Sequence, residues 1–448
     1  MSPLLSPAKL RKRWNWRRSR ARNARLTIVS QFFPPDFAAT GQFIEDLSRR
    51  LAERGLQNLV LTGQPGYAFH TELAERIEFQ PNRCIRRTAL TRFWPQRIRG
   101  RLVNSLLFCL RTLTRLLRQG RRGDLLLFTS EPAYLPVVGW LCHLITRAPF
   151  VVLIYDLYPD IAVSLKVVEE SHPLVRVWRF LQAATLEAAC EVIVLSTTMR
   201  DRLRAVYPDV ETPIAVIPSW ADPGRIRPIA KDDNWFVKRH ELHDRFTVIY
   251  SGNQGRCHDL DTLLEAAAHL RHEPAIRFLI IGAGAQHAHL LHKAAKLGLD
   301  QLQFLPYQDA DAVPAMLAAA DLAVVSLREE AEGQVAPSKL YGHLAAGSPL
   351  AVICGSQSYL CREIEQGGCG ASFRSGASQE LAAFIRELAG DPERCRRLGD
   401  SGRRHLLASA TPALAVQAYA EVLARHLPLD QKRYARPLSR DAIPLPTH

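Results

Sequence analysis

Paired cysteines are missing from this chain. Its nine cysteines, at positions 84, 109, 142, 190, 257, 354, 361, 369 and 395, are odd in number and scattered, with no CxxC or Cys/His ligand spacing. That pattern excludes a disulfide framework and a zinc site, and it predicts reduced thiols in a cytoplasmic protein. A membrane-length apolar run is missing too. The stretch YLPVVGWLCHLITRAPFVVLIYD is cut by Pro136, His143, Arg147 and Pro149, whereas a bilayer span needs roughly 18 to 20 apolar residues in a row. No secretory h-region follows the N-terminus. The expectation is a soluble protein or one peripheral on the inner face of the plasma membrane.

Acidic residues are absent from two stretches. Residues 1–35 carry Lys and Arg from Lys9 to Arg25 without a single Asp or Glu, with Trp14 and Trp16 set among them. A disordered basic arm over 1–25, a lipid anchor and an organelle transit peptide all fit this composition. Residues 92–122 repeat the theme from Arg92 to Arg122, here interleaved with LVNSLLFCLRTLTRLL. Leucines at helical spacing beside arginines describe either a basic amphipathic helix on an anionic membrane surface or a core-packed helix with a solvated basic face. Nucleic acid is not expected as a partner, because no nucleic-acid-binding motif accompanies the +14 net charge.

What is present is a long alternation of strands and helices. With 448 residues, 47% of them hydrophobic, two domains are the natural prior. From RLTIVSQFFPP onward, short apolar runs such as LQNLVLTGQPG, DLLLFTSEP, APFVVLIYDLYPD, CEVIVLSTTMRDRL and TPIAVIPSWADP read as buried parallel strands, each with a loop or helix behind it. They predict a doubly wound domain over 26–222. A polar connector carrying a short helix follows over 223–245. A second Rossmann-like domain spans 246–410, from FTVIYSGNQG through PLAVICG and GASF. A helix over 411–425 is read as returning to the first domain, and 426–448 as a loose tail. Two such α/β domains face one another across a cleft at the carboxyl ends of their strands.

Three loops of the second domain have the composition of anion sites. In YSGNQGRCHDLDTLL the strand ends at Ser251, and Gly252, Asn253, Gln254 and Gly255 form a turn able to bring backbone N–H groups to a ligand before a helix begins near Asp259. An ordinary β-α turn is the alternative. In LIIGAGAQH, Gly282 and Gly284 follow a strand in a truncated dinucleotide pattern, which favours close approach of a nucleotide base over a cofactor fingerprint. In VAPSKLYGHLAAGSP, Pro337 suits a first helical turn and Ser338 or Lys339 begins the helix. A cation beside the positive end of a helix dipole is locally unfavourable, and an anion such as a diphosphate would remove the conflict. A lysine snorkelling to solvent is the other reading.

Taken in order, FFPPDFAATGQF, YDLYPD, VLSTTM, VIPSWAD, YSGNQGRCHDLDTLLEAA, IIGAGA and PSKLYGHLAAGSP resemble the family 4 glycosyltransferases of the GT-B fold. The similarity covers roughly residues 26–425 and is greatest to the WbuB- and WcaI-like branch of exopolysaccharide and O-antigen enzymes. It implies a hexosyltransferase that moves a sugar from a nucleotide diphosphate, with UDP favoured, to a lipid-linked or polysaccharide acceptor. It also implies retention of anomeric configuration, proton transfer to the leaving phosphate, and neither cofactor nor obligatory metal. By the same resemblance Thr40 and Gly41 approach the donor phosphate and acceptor. Gly252, Asn253, Gly255 and Arg256 face the diphosphate, while Pro337, Ser338 and Tyr341 flank Lys339, its principal cationic contact. Asp156 orients the acceptor or the developing oxocarbenium, and Asp160 is a second carboxylate in the same loop.

The sequence departs from the family at the two glutamates that usually lie eight positions apart. Their places fall on Gln334 and Gly342, leaving Glu332 as the nearest substitute for the first. A non-catalytic GT-B scaffold assisting a partner transferase therefore stands beside the enzyme reading. A two-Rossmann oxidoreductase is disfavoured by the incomplete fingerprint at Gly282.

Overall fold

Apolar runs of four to six residues without polar alternation, such as LTIV, LLLFT and FVVLI, can bury both faces only inside a parallel sheet covered by helices. The computed structural model of the protein describes residues 25–36, 38–65, 73–89, 98–119 and 124–427, and places these runs at the centre of such a sheet. The first domain is built from β1 (Leu26–Val29), α1 (Ala39–Glu53), β2 (Asn58–Thr62), β3 (Ile77–Gln80), β4 (Arg83–Arg87), α2 (Ile98–Gln119), β5 (Leu125–Thr129) and α3 (Leu135–Thr146). It continues through β6 (Phe150–Ile154), α4 (Asp160–Ser164), α5 (Pro173–Ala188), β7 (Glu191–Val194), α6 (Thr197–Val206) and β8 (Ile214–Val216). The strand order is β3-β4-β2-β1-β5-β6-β7-β8, parallel except that β3 runs antiparallel to β4. That hairpin is an addition to the sequence expectation. Its strands read IEFQ and RCIRR, too polar to announce themselves, and it turns at Asn82 with φ of 56°, a conformation asparagine tolerates.

The second domain holds α7 (Trp235–Arg239), β9 (Phe246–Ser251), α8 (Asp261–His269), β10 (Ile276–Ile281), α9 (His287–Leu297), β11 (Leu302–Leu305), α10 (Val313–Leu317) and β12 (Leu322–Ser326). After them come α11 (Lys339–Ala346), β13 (Leu350–Ile353), α12 (Tyr359–Gly367), β14 (Gly370–Phe373), α13 (Ser378–Ala389) and α14 (Pro392–Ser409). Its strands run β11-β10-β9-β12-β13-β14, all parallel. In the first sheet the chain winds from β1 out to β2 and resumes on the other side with β5. In the second it winds from β9 outward and resumes with β12. Each reversal opens a crevice at the carboxyl ends of the two central strands, β1/β5 in one domain and β9/β12 in the other.

The connector over 223–245 carries a short helix as expected, α7, and its Phe236, Val237 and Leu242 are buried in the core of the second domain. Two boundaries differ from the sequence expectation. Arg25, grouped with the basic arm, is buried and ion-paired to Asp124 at 2.9 Å. The α8 helix starts at Asp261 rather than near Asp259, whose side chain instead receives the Thr262 N–H and hydroxyl. The rest of the arm, the tail beyond 427, and Arg92, Arg97, Arg121 and Arg122 of the second basic stretch lie outside the described residues.

The final helix, α15 (Pro412–His426), packs in the first domain. Tyr419 is buried there edge-on to Trp220, whose indole also meets Phe43 edge to face and donates to Asp46 at 2.9 Å. Arg425 and His426 both reach the buried Glu191 at the start of β7, at 2.7 and 2.9 Å. The α14–α15 stretch is long and apolar enough to pass a length test for a membrane span, but half of its apolar window is buried in the protein. If α15 is part of the first core, Tyr419→Ala leaves a large cavity and lowers stability by about 3 to 5 kcal/mol. Urea unfolding followed by tryptophan fluorescence measures it, and a change below about 0.5 kcal/mol would mean the helix is merely appended.

Candidate active site

The crevice of the second sheet is organised around a half-buried lysine. Lys339 is the first residue of α11, after a Ser338 cap whose side chain makes no capping hydrogen bond. Its ammonium lies 3.8 Å from the centre of the Tyr250 ring and donates to the Tyr250 hydroxyl at 2.5 Å. That hydroxyl donates onward to the Asn253 carbonyl at 2.6 Å. Among the described residues no carboxylate pairs with Lys339, and burial pulls its pKa down to about 7, partly offset by the Cys257 thiol. The side chain passes over Gly252, where a Cβ would fall 3.3 Å from Lys339 Cε and where φ is 122°. A residue with a side chain would be strained there and would crowd the cation.

The turn from Gly252 to Gly255 is rigid because the neighbouring loop locks into it. A Cβ on Gly282 would lie 2.1 Å from the Gly252 carbonyl oxygen, and one on Gly284 would lie 2.5 Å from the Gln254 backbone. Both glycines, expected to admit a nucleotide base, are thus already crowded by the protein's own backbone. The buried Gln254 binds His287 through its carbonyl at 2.7 Å. The side chains of Asn253 and Arg256 are exposed at the rim. A further cation, unremarked in the sequence, comes from Arg328 after β12. It donates to the His258 carbonyl at 3.1 Å and approaches Asp261 at 3.5 Å.

The first sheet contributes carboxylates to its own crevice. Thr40, in the first turn of α1, donates to Oε2 of Glu131, the second residue after β5. Burial first, and the nearby Asp156 second, push Glu131 up to about 7 against the opposing effect of the Thr40 bond. Burial alone raises Asp156, just beyond β6, to about 6. Gly41 lets α1 approach the Phe32–Phe33 backbone, which a Cβ would meet at 3.0 Å. Asp160 is occupied elsewhere, buried against Arg179 at 2.9 Å. Glu131 was not expected from the sequence. The available signal was its place in TSEP, directly beyond a central strand.

The two halves are joined at the site. Asp156 and Val335 form an antiparallel bridge, and Leu157 N–H donates to the Gln334 carbonyl at 2.8 Å. The Gln334 amide reaches Ser164 at 2.8 Å. Gly333, with φ of 72°, lies under α6, where a Cβ would meet the Thr198 carbonyl at 2.8 Å. Gln334 therefore stitches the domains together. At Gly342 a Cβ would lie 3.1 Å from a Leu317 methyl, so a larger residue there would require that side chain to shift. Glu332 accepts the Tyr359 N–H at 3.5 Å at the start of α12, and its second oxygen is buried without a partner. Tyr341, expected beside the ligand, is only 3% exposed and packs in the core, because two residues beyond Lys339 it lies about 200° around α11. Pro337 is buried at the approach to α11.

With this geometry in place, comparison with known proteins is informative. A model of the glycosyl transferase 4-like domain matches residues 39–220, and one of the glycosyl transferases group 1 matches residues 231–405. WbjE of Pseudomonas aeruginosa, described as a glycosyltransferase, is 25% identical over 274 residues, 61% of this chain and 68% of that protein. WcaI of Escherichia coli (strain K12), described as a colanic acid biosynthesis glycosyl transferase, is 38% identical over 136 residues, 30% of this chain and 33% of its own length. The sucrose-phosphate synthase of Thermosynechococcus elongatus superposes with a TM-score of 0.71 at 19% identity, covering 90% of this chain and all of that one. HepE of Anabaena, solved with UDP-glucose, has a TM-score of 0.66 at 16% identity over 90% of this chain and 99% of its own.

A lysine with a pKa near 7 must take up a proton when an anion settles on it. The sign follows from the depression: above pH 7 the free protein holds Lys339 largely neutral, and a bound diphosphate restores the charge. Binding of UDP at about pH 8 should draw in about one proton, read as a buffer-dependent enthalpy in calorimetry, and Lys339→Met should abolish the dependence. A buffer-independent enthalpy in the unmodified protein would place the anion away from this lysine.

Proposed function

The chain belongs to the group 1 glycosyltransferases of the GT-B fold, and from that premise we propose that it transfers a sugar from a nucleotide diphosphate, with UDP favoured, to a lipid-linked or polysaccharide acceptor in cell-surface glycan synthesis. The observation that carries this reading is the carboxylate-free ammonium of Lys339, set over Gly252 in the crevice between β9 and β12. A diphosphate supplies the charge that this buried cation lacks. The HepE complex with UDP-glucose supports the donor class, and the colanic acid biosynthesis name of WcaI supports the pathway type.

In the proposed reaction, the domain over 246–410 holds the nucleotide sugar and the domain over 26–222 receives the acceptor. As the glycosidic bond to the diphosphate breaks, negative charge grows on the leaving oxygen. The Gly252–Gly255 turn, the start of α11 and Lys339 stabilise that charge without rearranging. Retention at the anomeric carbon and independence from metals follow from the family resemblance. The contact between Asp156–Leu157 and Gln334–Val335 lies between the crevices, so tightening it would exclude water from the transfer.

The membrane surface fits the described part of the second basic stretch. In the first domain α2 packs against α3, and α3 against α5. Leu106 and Leu110 of α2 are largely exposed, as are Ile145 at 65%, Leu174 at 68% and Phe180 at 69%. Exposed Arg118, Arg147 and Arg176 lie on the same three helices or their ends and enter no ion pair among the described residues. Apolar side chains fringed by unpaired arginines suit the headgroup region of an anionic leaflet, where a lipid-linked acceptor would be met.

Calorimetry against a panel of UDP- and GDP-sugars, with and without EDTA, tests the donor. One donor should bind whether or not EDTA is present. Lys339→Ala should lower kcat about 10²–10³-fold, as removal of a charge-stabilising donor does. A protein that binds no donor would instead be a scaffold for a partner transferase. For the membrane face, the protein should sediment with phosphatidylglycerol-containing vesicles but not with phosphatidylcholine alone. The pair Ile145→Glu and Phe180→Glu should release it, and equal sedimentation of that variant would remove this face from membrane binding.

A further inference from the structure

The cysteines of this chain are all free, yet two of their sulfurs touch. Cys354 and Cys361 stand with Sγ atoms 3.4 Å apart, and among the described residues they are the one pair of thiols in contact. Both are buried, Cys354 at 2% exposure and Cys361 at 6%. Rigid elements hold them there. Cys354 follows β13 directly and its N–H donates to the Phe373 carbonyl of β14 at 2.9 Å, so the sheet fixes its backbone. Cys361 lies in the first turn of α12, where the Ser358 hydroxyl caps the helix by accepting the Leu360 N–H at 3.2 Å. Between them the Gly355 carbonyl accepts from the Ser358 N–H at 3.0 Å and from the Cys361 thiol at 3.4 Å. Two thiols already ordered by a strand end and a capped helix lose little further freedom on joining. A disulfide places its sulfurs about 2.05 Å apart, roughly 1.4 Å closer than they stand here.

The surroundings of the loop give that movement a consequence. α12 begins at the carboxyl end of β13, the neighbour of β12, and so beside the crevice that holds Lys339. The Tyr359 N–H, two residues before Cys361, is the group that reaches Glu332, and a Cβ on Gly355 would meet the Glu329 side chain at 3.1 Å. Glu329 and Glu332 belong to the segment that leads from β12 to Lys339. Drawing α12 toward β13 therefore pulls on one wall of the crevice.

We propose that Cys354 and Cys361 form a reversible disulfide on exposure to hydrogen peroxide or an organic hydroperoxide, and that this bond weakens nucleotide-sugar binding. The second half rests on the transferase reading and deepens it. In the first step the sulfur of Cys361, the more exposed of the two, attacks a peroxide oxygen. An S–O bond forms, the O–O bond breaks, and the released hydroxide takes the thiol proton, giving a sulfenic acid and water. The Cys354 sulfur then displaces the hydroxyl group from Cys361. The S–S bond forms as the S–O bond breaks, and the departing hydroxide carries off the Cys354 proton as a second water. Burial first, and the neighbouring Cys361 second, push the Cys354 thiol well up, so it keeps that proton until hydroxide is there to receive it. Two electrons have passed from the thiol pair to the peroxide. A thiol reductant reverses the change, as befits a compartment in which disulfides are transient.

One tryptic peptide, 340–362, contains both cysteines and no other. The unmodified protein is treated with hydrogen peroxide, its remaining thiols are blocked with iodoacetamide, and that peptide is weighed. It should have lost two hydrogens and escaped alkylation, and dithiothreitol should restore both thiols. A peptide that keeps both thiols free, or carries sulfinic acid instead of the bond, overturns the proposal. In calorimetry the oxidised protein should bind its UDP-sugar at least about fivefold more weakly than the reduced protein, the low end of coupling between two sites. Cys257, close to Lys339, is the other thiol whose oxidation would reach the donor. Cys361→Ser separates the two, because it should bind the donor equally with and without peroxide; if that variant does not fold, Cys354→Ala makes the same comparison. Undiminished binding by the disulfide form, or an equal loss in the variant, overturns the link to the crevice. A reduced protein that binds no UDP-sugar counts against the transferase reading alone, since the peptide mass reports the bond without it.

Discussion

A half-buried ammonium set against a phenol ring without a carboxylate partner among the described residues is the constraint around which the second domain is arranged. Tyr250 must stand one residue before the end of β9 with its ring under Lys339, and Gly252 must leave room for the side chain to cross. Gly282 and Gly284 must let the next loop press against that turn, and Gln254 must tie the turn to α9. Each of these gives up local freedom or side-chain volume. Together they keep a charge site preorganised and dry, the condition under which a fixed cation acts most strongly on an anion.

The first domain answers with the opposite sign. Its crevice gathers Glu131 and Asp156, both displaced toward neutrality by burial, and holds them beside the strand-to-strand contact with Val335. A cation in the second crevice and carboxylates in the first give the cleft a polarity. A donor and an acceptor entering it from opposite domains would meet with charge already sorted for transfer.

Much of this was legible in the sequence because it is carried by short, strongly patterned pieces. The runs LLLFT and FVVLI could only be central parallel strands, and PSKLYGHLAAGSP signalled a helix start with a misplaced cation. What was not legible depends on which loops the fold brings together. Nothing local in TSEP says that Thr40, from a helix ninety-one positions earlier, will reach Glu131. Nothing in GAGA says that its glycines make room for another loop's backbone. The IEFQ–RCIRR hairpin was hidden by its arginines, of which Arg83 and Arg87 are buried on Glu45 and Glu78. Polar composition there conceals ion pairs rather than a loop.

The path of α15 has a bearing on how the molecule is made. Tyr419 and its neighbours complete a core whose other members, Phe43 and Trp220, are synthesised before the whole second sheet. On the ribosome the first domain must wait, with that face uncovered, until the second has emerged and folded. The nascent chain is therefore exposed longest at a patch of aromatic surface, and chaperone capture or misassembly would begin there.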